Sequence, residues 1–245
     1  MRALIRAELG KLASVRSTWV LLAAAAAVSV LHAAAAIVTG PEVADVTTDA
    51  GMQAVLFSAG VGSMLTLVLG VLITAGEFRH GTITDTYLTT PVRGRVIVAK
   101  LAAGLVFGAL SGLVSAVATV AVAAPWLAAR GHAVPFEETF VWLTLAGAVI
   151  WCTGYAAIGV AVGALVRSPA LGIVAALAWL FVLEQIVVGF AAGVGRWLPA
   201  GAASAVGNDV RSGLLPQWGG ALMLALYAAA IAAAAALFTT RRDVT

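Results

Sequence analysis

Few residues in this 245-residue chain can do chemistry, and they fall in isolated places. The densest group is Glu77, Arg79 and His80, an acid, a guanidinium and an imidazole within four positions, followed by Gly81, Thr82 and Asp85. Such a group can hold ion pairs or anchor a contact, but it has no neighbouring Cys or second His at metal-ligand spacing. Glu184 is an acid inside an apolar run, where an ionisable group is costly and faces a bundle interior or water. Two readings of it stand: a lining group of a polar path through the apolar layer, or a polar partner for irregular backbone near its surface. His32 lies alone in another such run and reads as a packed or interfacial residue. Cys152, the one cysteine, excludes an internal disulfide or a CxxC pair and reads as a small core residue. Gly10-Lys11 is followed by Leu12, so the chain has no GxxxxGK[ST] phosphate loop, and neither HExxH nor GxSxG occurs. No catalytic residue, metal site or cofactor bound by this chain is nominated.

The elements that must carry these residues follow from composition. Hydrophobic residues make up 62% and charged ones 10%, against roughly 25% charged in an ordinary soluble domain. A water-soluble globule and a disordered chain are both excluded. Six apolar stretches, at about 19–38, 55–75, 96–127, 140–166, 170–192 and 218–238, each reach the roughly 20 residues that a bilayer-crossing helix needs. Two-residue alternation is absent, so the expected fold is an all-α membrane protein of six transmembrane helices forming one domain over 1–245. Eleven of the fourteen Lys and Arg (Arg2, Arg6, Lys11, Arg16, Arg79, Arg93, Arg95, Lys100, Arg167, Arg241, Arg242) fall on one side of such a six-span arrangement. Excess basic charge marks the cytoplasmic side, so both termini are expected there. The opposite first loop is acidic, with Glu42, Asp45 and Asp49. Scattered in this way, the formal charge of +3 makes no basic stripe, and no nucleic-acid partner is expected.

Two segments are not spans. In residues 1–16, Met1, Ile5, Leu9 and Leu12 share one helical stripe flanked by Arg2, Arg6 and Lys11, the pattern of an interfacial helix on anionic lipid. A plain basic tail is the alternative, and the apolar run from Trp19 is too long for a signal-peptide core. In residues 76–100, Thr82 and Asp85 can cap a short helix carrying Ile83, Tyr87 and Leu88 until Pro91 stops it. Apolar residues set among polar ones there mark a contact with a protein partner; a turn lying on the membrane is the other reading. Gly104, Gly108 and Gly112, and Gly159 with Gly163, repeat at the four-residue spacing that allows close helix contact.

The amphipathic start, Ser17-Thr18-Trp19, the run Glu77-Phe78-Arg79-His80-Gly81-Thr82 after the second span, Pro91 and Ala99-Lys100 together resemble the ABC transporter permeases of the type-2 exporter class over essentially the whole chain. The resemblance is greatest to short permeases of high-GC Gram-positive bacteria. It implies a multi-pass subunit of the bacterial plasma membrane with an amino-terminal elbow helix, paired as a homodimer or with a similar permease. Thr82, Ile83, Asp85, Thr86, Tyr87 and Leu88 would belong to a coupling helix that contacts a separate ATP-binding-cassette ATPase, which would bind ATP and Mg. Glu77, Arg79 and His80 would form the transmission base, Glu184 a pathway or outer-gate residue, and the segment from Gly193 to Pro216 re-entrant helices between spans five and six. Relatives often have Glu-Pro near the outer end of span five where this chain has Glu184-Gln185, which leaves the local kink without its proline. The cargo would be hydrophobic or amphipathic. A non-transporting membrane anchor and an intramembrane enzyme are the rival readings.

Overall fold

A backbone in hydrocarbon must satisfy its own N–H and C=O groups, and Ala- and Leu-rich runs do this as helices. The computed structural model describes residues 1–39, 45–89 and 92–241, without the side chains of Asp85, Tyr87, Thr89, Arg93, Ala192 and residues 239–241. Glu42, Pro91 and Arg242 lie outside the described residues. Among those described, all regular structure is helical.

A short helix, α1 (Arg2–Ser14), ends at the extended residue Val15, and α2 (Arg16–Val38) follows. Helix α3 (Asp49–Phe57) and a 3-10 turn (Ser58–Gly60) lead into α4 (Ser63–His80). Asp49, expected in an acidic loop, instead stands in the first turn of α3, because Thr48 caps that helix by accepting from the Gly51 N–H at 3.1 Å. Helix α5 (Ile83–Thr89) separates α4 from α6 (Arg93–Ala128), and α7 (Thr139–Val166) follows. The fifth apolar stretch is interrupted: α8 (Pro169–Ala178) passes through a π-turn (Trp179–Leu183) into α9 (Glu184–Phe190). Two short helices, α10 (Ala192–Gly195) and α11 (Pro199–Val206), precede α12 (Gln217–Arg241). Six helices among the described residues are long and apolar enough to cross a membrane.

Helix α7 is the axis of the bundle, packing on α4, α6 and α12. In the most apolar stretch of the span from Asp49 to His80 and of α7, 67% and 61% of the residues are buried within the protein, against 17% in that of the α8–α9 span, so α8 and α9 form an outer face. Close approach depends on glycine. A Cβ added at Gly112 would come within 2.6 Å of Val149 Cα, and one at Gly108 within 2.8 Å of Thr153 Cα, so α6 rests backbone-to-backbone on α7. On the other side of α7, a Cβ at Gly163 would reach 2.6 Å from the Val71 carbonyl of α4. Lipid tails are as apolar as the side chains, so this van der Waals fit rather than water exclusion joins the helices.

Replacing Gly112 by Leu should destabilise the detergent-solubilised protein by about 1–3 kcal/mol, the cost of overpacking a tight contact. Gly10→Ala, where a Cβ meets nothing within 4 Å, should be neutral or slightly stabilising. Thermal unfolding of both variants beside the parent reads the difference directly.

Candidate functional site

Where α4 ends, Gly81 takes a left-handed conformation (φ 73°) and turns the chain into α5. The same end of the bundle holds the start of α6, the carboxyl end of α7, where Arg167 lies 5.4 Å over the Phe78 ring, and α1 laid across it. Leu9 and Leu12 of α1 pack on an apolar cluster that includes Leu22, Leu69, Ile73 and Phe107. Met1, placed by periodicity on the same stripe, is exposed.

Four charges meet beneath that apolar contact. Lys100 Nζ, only 1% exposed, lies 2.8 Å from Glu8 Oε2 and 2.8 Å from Glu77 Oε1. It also donates to the Ile73 carbonyl at 3.4 Å. Lys11 Nζ pairs with Glu8 Oε1 at 2.9 Å and with Glu77 Oε1 at 3.0 Å, and reaches Thr86 Oγ1 of α5 at 3.5 Å. Glu8 is 2% exposed and Glu77 14%. Two acids and two ammonium groups thus neutralise each other while joining α1, α4, α5 and α6. The second Glu77 oxygen, Oε2, is buried with no hydrogen-bond partner.

The energetics of this cluster are asymmetric. Removing water from four charges consumes most of what their attraction returns, so the intact cluster adds little net stability. Deleting one member, by contrast, strands a buried charge and costs about 3–5 kcal/mol. Burial by itself would raise the Glu8 carboxyl, but the ammonium groups of Lys100 and Lys11 outweigh it and hold Glu8 below its ordinary value. Burial likewise works against the charged form of Lys11, yet its hydrogen bonds to Glu8 and Glu77 hold the ammonium above its usual range.

Of the residues expected at this base, only Glu77 enters the cluster. Arg79 and His80 are exposed, and His80 donates from Nδ1 to the Gly76 carbonyl of its own helix at 2.8 Å. On α5, Thr82 is exposed and Leu88 is 78% exposed. Ile83 departs from the expectation of a solvent-facing residue: it is 3% exposed, because its helix position turns it back onto the bundle. Thr86 is buried too and donates to the Thr82 carbonyl at 3.3 Å. The side chains of Asp85 and Tyr87 lie outside the described ones. Sequence reasoning missed Glu8 and Lys100 and set Lys11 against lipid. Two signals were available: Glu8 and Lys11 are an i, i+3 pair on one helix face, and Lys100 sits within an apolar stretch, as costly there as Glu184.

Glu184 belongs to a second polar site, at the opposite end. Its Oε1 accepts from the backbone N–H of Ala200 at 2.7 Å and of Gly201 at 3.3 Å, the orphan donors of the first turn of α11. The π-turn just before it is one of the few devices that bend a helix, so the irregularity arises without proline. At the other end of α11, Gln217 donates to the Val206 carbonyl at 2.7 Å and Asn208 donates to Thr144 Oγ1 at 3.0 Å. Ala202, Ala203 and Val206 between these ties are fully buried. His32 reaches only Ser58, at 2.8 Å, and so joins α2 to the 3-10 turn.

The profile of the ABC-2 family transporter proteins matches residues 4–183. The chain belongs to this family. ABC-2 family members of this kind are multi-pass membrane subunits of transporters and are not themselves catalytic. The matched residues include Glu8, Lys11, Glu77 and Lys100 and end one position before Glu184. No curated protein matches the chain.

A carboxylate held below its ordinary value stabilises the fold above that value and ceases to do so as pH falls through its folded-state value. A lysine held above its ordinary value contributes at every pH below it. The cluster should therefore be intact across the neutral range, failing on acidification below the ordinary Glu8 value of 4.5 and weakening on the alkaline side above the ordinary Lys11 value of 10.5. Unfolding of the solubilised ABC-2 subunit followed against pH should show a flat neutral range and an acid limb, and Glu8→Gln should flatten that limb.

Proposed function

We propose that this chain is the membrane-spanning permease subunit of an ATP-driven exporter in the bacterial plasma membrane, with both termini cytoplasmic. In this reading α1 is the elbow, lying at the lipid surface through Arg2 and Arg6, and α5 is the coupling helix. A separate ATPase subunit binds ATP and Mg, receives α5, and its closure moves the membrane helices between two states. Two such chains, or this chain and a similar permease, enclose the pathway. Glu184 and α11 then form part of the gate on the far side.

The observation that carries this reading is the position of α5. Its outer face offers Leu88 to solvent, while Thr86 behind it meets Lys11 and so the charges that hold α1, α4 and α6. A passive anchor has no need of a short exposed helix wired into the base of two long ones and the helix laid across them. An intramembrane enzyme needs several polar groups at one depth, and Glu184 is engaged with backbone. A cavity of about 390 Å³ between α4, α7, α8 and α12, lined by Leu67, Ile158, Val162, Trp179, Leu180 and Ile231 with Tyr155 and Tyr227, suits a hydrophobic or amphipathic cargo.

Leu88→Asp changes an exposed side chain and should alter stability by less than about 0.5 kcal/mol. It should leave membrane insertion intact and abolish co-purification with the ATP-binding subunit. Wild-type recovery of that subunit with the variant would remove α5 from the docking role, and substrate-insensitive ATP hydrolysis by the parent complex would favour the anchor.

A further inference from the structure

Glu8 and Lys100 are both almost fully buried. Their pair crosses from α1 to α6, and Glu77 of α4 shares the same Lys100 ammonium at 2.8 Å. Lys11, half exposed, links this buried pair to Thr86 of α5. Both lysines crowd onto Oε1 of Glu77, while Oε2 of the same carboxylate is buried without a partner. Lys11 can therefore shift from one Glu77 oxygen to the other without losing its ion pair. There is room for that shift, since Glu8, Lys11, Glu77 and His80 also line a cleft of about 460 Å³ beside α1. An empty acceptor beside a cleft gives Lys11 two arrangements on the same carboxylate.

We propose that Glu8 and Lys100 are positioning residues of the coupling step: their buried pair makes α1 travel with α5, α4 and α6 as one body, with the second Glu77 oxygen serving the alternative arrangement. This rests on the reading of α5 as the ATPase contact. Without the pair, α5 still receives its partner and moves, but the displacement reaches α1 only through the half-exposed Lys11 and is weakened.

The test uses the full chain in complex with its ATPase, with Cys152→Ala removing the native thiol. One spin label is placed at Gly10→Cys on α1, where a side chain meets nothing within 4 Å, or at Thr84→Cys on the exposed side of α5. Trapping with ATP, Mg and vanadate should change the spectrum at both sites in the parent. With Lys100→Met the Thr84 label should still respond fully and the Gly10 label should respond less than in the parent. Glu8→Gln, which removes the same ion pair should Lys100→Met fold poorly, should weaken the Gly10 response likewise, and Lys100→Arg, which keeps the cation, should retain it. A Gly10 label that responds equally in the parent and in Lys100→Met overturns the inference, as does one silent in a parent whose Thr84 label responds. A Thr84 label silent in the parent, or absence of a co-purifying ATPase, instead overturns the reading of α5 and the inference with it.

Discussion

Four charges that neutralise each other out of water set the arrangement of one end of this bundle. Lys100 is buried between two acids that come from different parts of the chain, Glu8 near the start and Glu77 at the end of α4. Meeting the demand of one lysine therefore fixes where α1 lies and how α4 and α6 stand to each other. Leu9 and Leu12 close the apolar side of the same contact. Specificity rather than net stability is what such a cluster provides, since its desolvation nearly cancels its attraction.

The rest of the bundle can be close-packed because it avoids charge. Glycines on α6 and on both sides of α7 bring backbones together where the charge cluster is absent. The outer helices α8 and α9 lie largely outside this core. Their one charged group, Glu184, is turned inward to hold α11. The two ends of the protein thus use carboxylates differently: one balances ammonium groups between helices, the other satisfies the bare N–H groups of a short helix.

Much of this could be read from the chain. Six spans followed from hydrophobic run length, and the glycine spacing on α6 and α7 marked contacts that the structure makes. The break after α4 was legible because Gly81 has few alternatives to a left-handed helix stop. The ion cluster was not, because its members are separated by up to 92 positions and only the folded chain brings Glu8 to Lys100. Counting Lys11 and Lys100 as surface charges took their side from topology but not their direction, which tertiary packing decides. Ile83 was misread for a similar reason: a short helix has two faces, and its apolar residues need not all point outward.

A double-mutant cycle on Glu8 and Lys100 addresses the central claim most directly. Glu8→Gln, Lys100→Met and the two together are compared with the parent by unfolding free energy in detergent. The cluster predicts that the double variant loses less than the sum of the singles, with a coupling of at least about 1 kcal/mol. Losses that add to within about 0.5 kcal/mol would contradict it, since independent sites behave in that way.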